Sequence, residues 1–246
     1  MAFSAIMFLI INLFSPIMTR AEQRTSNRFD LARKRLIREI EADVQATSTH
    51  IGADRLDPVV IKAMNAVKRH RFVPKAFINR AYENNPLPIG YGQTISQPYI
   101  VALMSNLLAL SPGDLVLEVG TGSGYQAAVL AEMGMFVHSI EIIRPLAESA
   151  RDRLQAEGYR SVQTLVGDGY FGWEKKAPFD GIIVTAATDH IPPPLIAQLK
   201  NGGRMVIPVG GRFSVQQLVL VIKDNKGTVS TRQILPVRFV PLTRRP

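Results

Sequence analysis

A doubly wound α/β fold with a mostly parallel sheet is what this sequence predicts, and three observations predict it. From Leu115 onward short apolar runs recur, LVLEV (115–119), FVHSI (136–140), VQTLV (162–166), GIIVT (181–185) and MVIPV (205–209), separated by helical patterns or turns. Near-continuous Val, Ile and Leu runs suit strands covered on both faces, and their alternation with helices implies parallel neighbours. The first run passes directly into a glycine-rich turn and a helix. The last, LVLVI (218–222), is followed by the hairpin signal Asp224-Asn225-Lys226-Gly227 with no helix after it, which implies an antiparallel edge.

The region ahead of this sheet reads as helical. In FDLARKRLIREIEADVQA (29–46) Leu31, Leu36, Ile37, Ile40 and Val44 recur at helical spacing with charges opposite. Asp57-Pro58 is a helix start, and VVIKAMNAVKRH continues the pattern until Phe72-Val73-Pro74 breaks it. The Asn-, Pro- and Gly-rich stretch NNPLPIGYGQTISQPY is expected as a loop, followed by the helix IVALMSNLLAL and the turn Ser111-Pro112-Gly113-Asp114.

At 246 residues, 46% hydrophobic and 20% charged, the chain can bury one sizeable core. It has no cysteine, which excludes a disulfide framework, a thiolate nucleophile and a zinc–cysteine site. Its four histidines, His50, His70, His138 and His190, form no spaced cluster, and no metal is expected. The net charge of +9 is uneven, with 14 Lys and Arg against 7 Asp and Glu in residues 1–80. Without interleaved aromatics or a docking motif, that excess does not indicate nucleic acid as a partner.

Residues 1–18 carry no charge and read as an apolar leader or anchor. Basic residues follow the run, at Arg20, Arg24 and Arg28, and the positive-inside rule would keep the body of the protein cytoplasmic even if the run inserted. A translation start at Met18 is the other reading. The expected organisation is a leader or mis-assigned start plus basic linker over 1–28 and one domain over 29–246. A cytoplasmic monomer without stable membrane association is expected, export or anchoring through residues 1–18 being the alternative.

Three signals carry chemistry. Gly120, Gly122 and Gly124 lie between a buried strand and a helix, where glycines let the backbone approach a ligand and the helix start offers free N–H groups; a tight turn that binds nothing is the other reading. A dinucleotide fingerprint would place its third glycine at 125, which is tyrosine, so NAD and FAD are disfavoured. Glu141 closes the next strand, where an acid can accept from both ribose hydroxyls; a solvated charge at a helix start is the other reading. Asp168, between Gly167 and Gly169, can accept from an adenine amino group or can simply make a turn.

GTGSGY, the Glu141 strand end, GDGYFGW and ATDHIPPPLIAQLKNGGRMVIPVG together resemble a class I methyltransferase that uses S-adenosylmethionine (AdoMet). More narrowly, RFVPKAF, YGQTISQPY and the terminal VRFVPLT are similar to the protein-L-isoaspartate O-methyltransferase family, over roughly residues 30 to 244. The resemblance implies a seven-stranded sheet, AdoMet as cofactor and methylation of isoaspartyl residues in damaged proteins. It implies Ser96 as the active-site residue, with Thr94 and Ile95 beside the cofactor, and Glu118, Gly120, Gly122, Gly124, Glu141, Asp168 and Gly169 binding that cofactor. A terminal strand, Phe239, Val240, Pro241 and Leu242, is implied to hold the substrate peptide through its backbone. Two positions depart from the family pattern: Glu118 stands where aspartate is frequent, and Tyr99 where some members carry histidine.

The chemistry is consistent with these residues. A free carboxylate with a pKa near 4 is already ionised at neutral pH, so methylating it needs no general base. No G-x-S-x-G elbow surrounds Ser96, which makes it a positioner of the acceptor oxygen rather than a nucleophile. Capping of the helix after Pro98 is the competing role for Ser96. Competing functions are methylation of RNA or a small molecule on the same fold, and an inactive protein holding AdoMet or an adenine nucleotide as a regulatory ligand.

Overall fold

The computed structural model describes residues 20–211 and 214–244, so the apolar run over 1–18 lies outside the described residues. Seven strands form one sheet in the order β5-β4-β3-β6-β7-β8-β9: β3 (Leu115–Val119), β4 (Phe136–Glu141), β5 (Gln163–Val166), β6 (Phe179–Val184), β7 (Leu199–Val209), β8 (Gln216–Lys223) and β9 (Val229–Val237). The first five are parallel and the last two antiparallel, as the apolar runs and the closing hairpin predict. Helices α4 (Pro98–Leu107), α5 (Tyr125–Glu132), α6 (Arg144–Ala156) and α7 (Pro193–Gln198) accompany the sheet. Two apolar clusters result, one containing Val116, Ala128 and Leu218, the other Leu117, Ile182 and Met205. Adjacent residues of one strand thus enter different clusters, because successive strand side chains point to opposite faces.

Three expectations from periodicity are corrected. The first helix, α1 (Arg20–Ala46), starts nine residues before Phe29, in a polar stretch that has no apolar period to reveal it. Leu36, Ile40 and Val44 form its buried stripe, whereas Leu31 is 70% exposed. Five residues ahead of Leu36 is about 140° round a helix, off the buried face. After the short turn α2 (Ser48–Ile51), α3 (Pro58–Ala66) begins as expected, with Asp57 accepting from Val59 N at 2.8 Å. It ends at Ala66 rather than His70, because Val67 is extended and Arg69 turns into the core.

The stretch expected as a loop contains a hairpin, β1 (Leu87–Gly90) and β2 (Gln93–Ile95). Tyr91 (φ +54°) and Gly92 (φ +71°) make its tight turn. Two successive positive φ values match the twist of a hairpin, but a tyrosine at the first of them is not a sequence signal for one. The expected terminal strand is also absent. Beyond β9 the chain makes a single parallel bridge, Ala187 to Pro241, and not a ladder.

Arg69 is fully buried. Its Nε donates to Ala81 O (2.9 Å), and Nη2 donates to Ser96 O (2.9 Å) and Asn85 O (3.4 Å). The guanidinium carbon sits 4.9 Å from the ring centre of Tyr125, the first residue of α5. Burial lowers its pKa to about 10, which leaves it charged at neutral pH. One side chain therefore ties the loops around β1 and β2 to the helix behind the glycine turn. Arg69→Leu leaves the carbonyls of Ala81 and Ser96 without their donor, and at about 1.5–3 kcal/mol per charged hydrogen bond it should cost about 3–6 kcal/mol. Urea denaturation reads this directly; an unchanged midpoint would mean that these carbonyls find other donors.

Candidate active site

The C-terminal ends of β3, β4 and β6 meet where the strand order reverses, the crevice in which open α/β sheets bind ligands. β3 delivers Gly120 with φ +99°. A Cβ there would lie 2.4 Å from Thr185 Oγ1, which donates to Gly120 O (2.7 Å) and approaches Val119 O (3.1 Å). Only glycine admits both that φ and that approach. Opposite, Ile89 of the β1–β2 hairpin reaches within 3.4 Å of where a Gly122 Cβ would be, so the hairpin roofs the turn.

Two spaces open from this point. A cavity of about 440 Å³ is lined by Thr94, Ser96, Thr185, Phe239 and Val240. A narrow cleft beside it is lined by Gly120, Gly122, Glu141, Gly169 and the terminal residues Val240 to Thr243. Thr94, Thr185 and Val240 belong to both, forming a shared wall. A smaller recess beneath takes in Ile95, Glu118 and Tyr125, with Thr94 and Ser96 again.

Glu141 accepts from Gly122 N through Oε2 and from Ile143 N through Oε1, both at 2.9 Å. Each oxygen keeps a second lone pair for a ligand hydroxyl, and the carboxylate also holds the glycine turn. Glu118 is buried differently. Ser139 Oγ donates to its Oε2 and shares a 2.6 Å hydrogen bond with Thr121 Oγ1, while Oε1 has no partner among the described residues. Burial pushes its carboxyl up to about 8, opposed by the Ser139 hydrogen bond and reinforced by the nearby Glu141 charge.

Ser96 precedes α4, but the capping position is Gln97 and no side chain caps that helix. The capping role for Ser96 is thereby excluded, and its hydroxyl makes no hydrogen bond among the described residues while its carbonyl is held by Arg69. Four other sequence-read residues fall outside both spaces. Gly124 (φ +86°) packs toward α6, where a Cβ would lie 3.2 Å from Leu154 Cγ. Asp168 accepts from Tyr170 N (3.0 Å) and lies 3.6 Å from Arg244 Nε, with only its neighbour Gly169 on the cleft. Ile95 and Glu118 reach only the recess. Tyr99 is also turned away, its hydroxyl 2.6 Å from Thr47 Oγ1.

The terminal segment divides its contacts. Phe239 and Val240 face the larger cavity, whereas Pro241 and Leu242 wall the cleft. Thr185 and Arg69 were not found by sequence reasoning. The threonine closing GIIVT is a signal of strand-end position; nothing local marks Arg69 among its basic neighbours. Among the described residues no three His, Cys, Asp or Glu side chains gather as a metal site, and no helix is long and apolar enough to cross a membrane.

AdoMet fits this donor set. The glycine turn offers close backbone approach, Glu141 keeps acceptors for ribose hydroxyls, and the orphaned Glu118 Oε1 suits an ammonium group. The sheet order and these ligand groups define the class: a class I AdoMet-dependent methyltransferase. Residues 49–246 match the family model described as Protein-L-isoaspartate(D-aspartate) O-methyltransferase (PCMT). The chain is 59% identical to Protein-L-isoaspartate O-methyltransferase 2 of Syntrophobacter fumaroxidans, covering 96% of each chain. It is 63% identical to the protein of that name in Polaromonas sp., over 85% of this chain and 99% of the relative. The chain belongs to the protein-L-isoaspartate O-methyltransferase family.

A solved protein-L-isoaspartate O-methyltransferase structure, 28% identical, superposes with a TM-score of 0.76 over 86% of this chain and 66% of its own. A second, from Plasmodium falciparum in complex with S-adenosyl-L-homocysteine, has 22% identity and a TM-score of 0.68, over 84% of this chain and 98% of its own, and shares the fold.

The raised Glu118 pKa has a sign that can be checked. Unfolded, the carboxyl titrates near 4.5; folded, near 8. The unfolded chain therefore binds fewer protons across that window, and stability falls as pH rises through it, by up to about 1.4 kcal/mol per pH unit from this group. Glu118→Gln should remove that slope. Urea unfolding of both proteins without ligand at pH 5, 6, 7 and 8 tests it, and parallel curves would place the Glu118 proton elsewhere.

Proposed function

We propose that the cleft and the larger cavity are the donor and acceptor halves of one methyl-transfer site, in which AdoMet methylates the free carboxylate of an L-isoaspartyl residue. The carrying observation is the wall of Thr94, Thr185 and Val240 common to both spaces, since a transferred group must cross from one to the other. AdoMet, when bound, supplies a methyl group activated on a sulfonium. Glu141 holds its ribose, Glu118 its ammonium, and Gly120, Gly122 and Gly169 give it backbone room. Asp168 acts from behind Gly169, and Gly124 through the packing of α5.

Ser96 orients the acceptor. Its hydroxyl is free to donate, and a carboxylate held in line needs no base. Val240 N–H is the second donor, unpaired among the described residues at the shared wall. Phe239 contributes its side of the cavity rather than its backbone, because both its backbone groups are taken by Gln216.

The substrates are isoaspartyl-containing proteins and peptides. The basic flank at Arg20, Arg24 and Arg28 supports a cytoplasmic location.

Incubation with radiolabelled AdoMet and either an isoaspartyl peptide or its aspartyl isomer tests the reading. Base-labile label should enter only the isoaspartyl peptide; equal labelling of both, or a base-stable product, would overturn it. Ser96→Ala should lower the single-turnover rate by roughly 5-fold to 150-fold, the value of one transition-state hydrogen bond of about 1–3 kcal/mol. Its melting temperature should stay near that of the parent, since no cap is lost, and a normal rate would remove Ser96 from the acceptor site.

A further inference from the structure

Past Val237 the chain leaves β9 and runs as an arm over the site without a ladder to hold it. An extended arm presents its backbone groups alternately to two edges, and both edges here are engaged. On one, Ala187 N donates to Val240 O (2.8 Å) and Leu242 N donates to Ala187 O (2.7 Å). On the other stands one side chain. Phe239 N donates to Gln216 Oε1 (2.6 Å), and Gln216 Nε2 donates to Phe239 O (3.1 Å).

We infer that Gln216 is a positioning residue for the acceptor: its amide replaces a missing strand and sets the register of the arm, placing Val240 N–H at the shared wall. This rests on the reading that the arm helps hold the substrate peptide. The chemistry of the amide is specific, because it carries one acceptor and one donor side by side, as a peptide unit does. A carboxylate would offer Phe239 O no donor, and an aliphatic chain would leave both groups unpaired. Gln216 is itself fixed. It is 8% exposed, it opens β8 opposite Val237, and Gly210 lies so close that a Cβ there would be 2.7 Å from Gln216 Cα.

The register matters because a slip by one residue would exchange the edges, turning the Val240 groups toward Gln216 and those of Phe239 toward Ala187. Phe239, which Gln216 holds, and Val240 line the acceptor cavity, whereas on the cofactor side Gly120, Gly122 and Glu141 are held by β3, β4 and Thr185, and Leu242 of the arm, which also walls the cleft, keeps its own bond to Ala187 O. Loss of Gln216 should therefore act on the peptide more than on AdoMet.

The test compares Gln216→Leu, Gln216→Glu and Val240→Pro in the full chain, with KM for an isoaspartyl peptide, kcat, AdoMet affinity by calorimetry and melting temperature. Gln216→Leu is expected to raise peptide KM by about 10-fold or more, the effect of about 1.4 kcal/mol, while AdoMet affinity changes by less than about 3-fold. Gln216→Glu should show a similar defect at pH 8 that shrinks relative to the parent at pH 5.5, where protonation returns a donor to Phe239 O. If Gln216→Leu does not fold, that pH-dependent recovery decides alone. Val240→Pro removes the N–H directly and should raise peptide KM whether or not Gln216 matters. A raised KM in Val240→Pro with normal KM in both Gln216 variants would overturn the role of Gln216 and leave the arm reading intact. Normal peptide KM in all three would overturn the arm reading itself. A lowered melting temperature with equal loss of both ligands would make Gln216 structural only and sink the inference.

Discussion

A guanidinium with no access to solvent organises the loops that border the larger cavity. The loops on either side of the β1–β2 hairpin have no sheet to satisfy their carbonyls, and Arg69 supplies donors to three of them. Its planar fork reaches Ala81, Asn85 and Ser96 from one position, a geometry that a lysine could not reproduce. The cost is the desolvation of a charge, visible in a pKa lowered to about 10 and offset in part by the Tyr125 ring. The return is positional. The peptide of Ser96 is locked while its hydroxyl stays free, and the lock is anchored on the residue that follows the glycine turn.

The cofactor side is organised by two buried acids handled in opposite ways. Glu141 is given a backbone N–H for each oxygen, which makes it part of the glycine turn. Glu118, one strand away, receives a single hydroxyl donor and retains an orphaned oxygen. Two carboxylates close together cannot both ionise cheaply, so burial and the Glu141 charge leave the Glu118 proton in place to about pH 8. A cationic ligand group against Oε1 reverses that balance. Ligand binding and the ionisation of Glu118 are therefore linked, with affinity favoured as the proton becomes easier to lose.

Class I sheets host many methyl acceptors, so the fold alone leaves the acceptor open. In this chain the cavity proposed for the acceptor is lined largely by material outside the parallel strands: the β1–β2 hairpin, the start of α4 and the arm after β9. The cavity they form shares Thr94, Thr185 and Val240 with the cleft beside it.

Much of this was determined by the sequence alone. Val, Ile and Leu runs of strand length between helical patterns specify a covered parallel sheet, and Asp224 to Gly227 specifies its antiparallel end, because periodicity and turn chemistry are local. Gly120, Gly122 and Glu141 were legible for the same reason: each sits at a fixed offset from a strand end. Tertiary structure decided the rest. The burial of Arg69, the exposure of Leu31, the sharing of Thr185 between two spaces and the pairing of Gln216 with Phe239 all depend on contacts between distant segments. An arginine in a basic run or a glutamine opening a strand carries no local mark of its partner, and which carbonyl needs a donor is known only when the chain has closed around it.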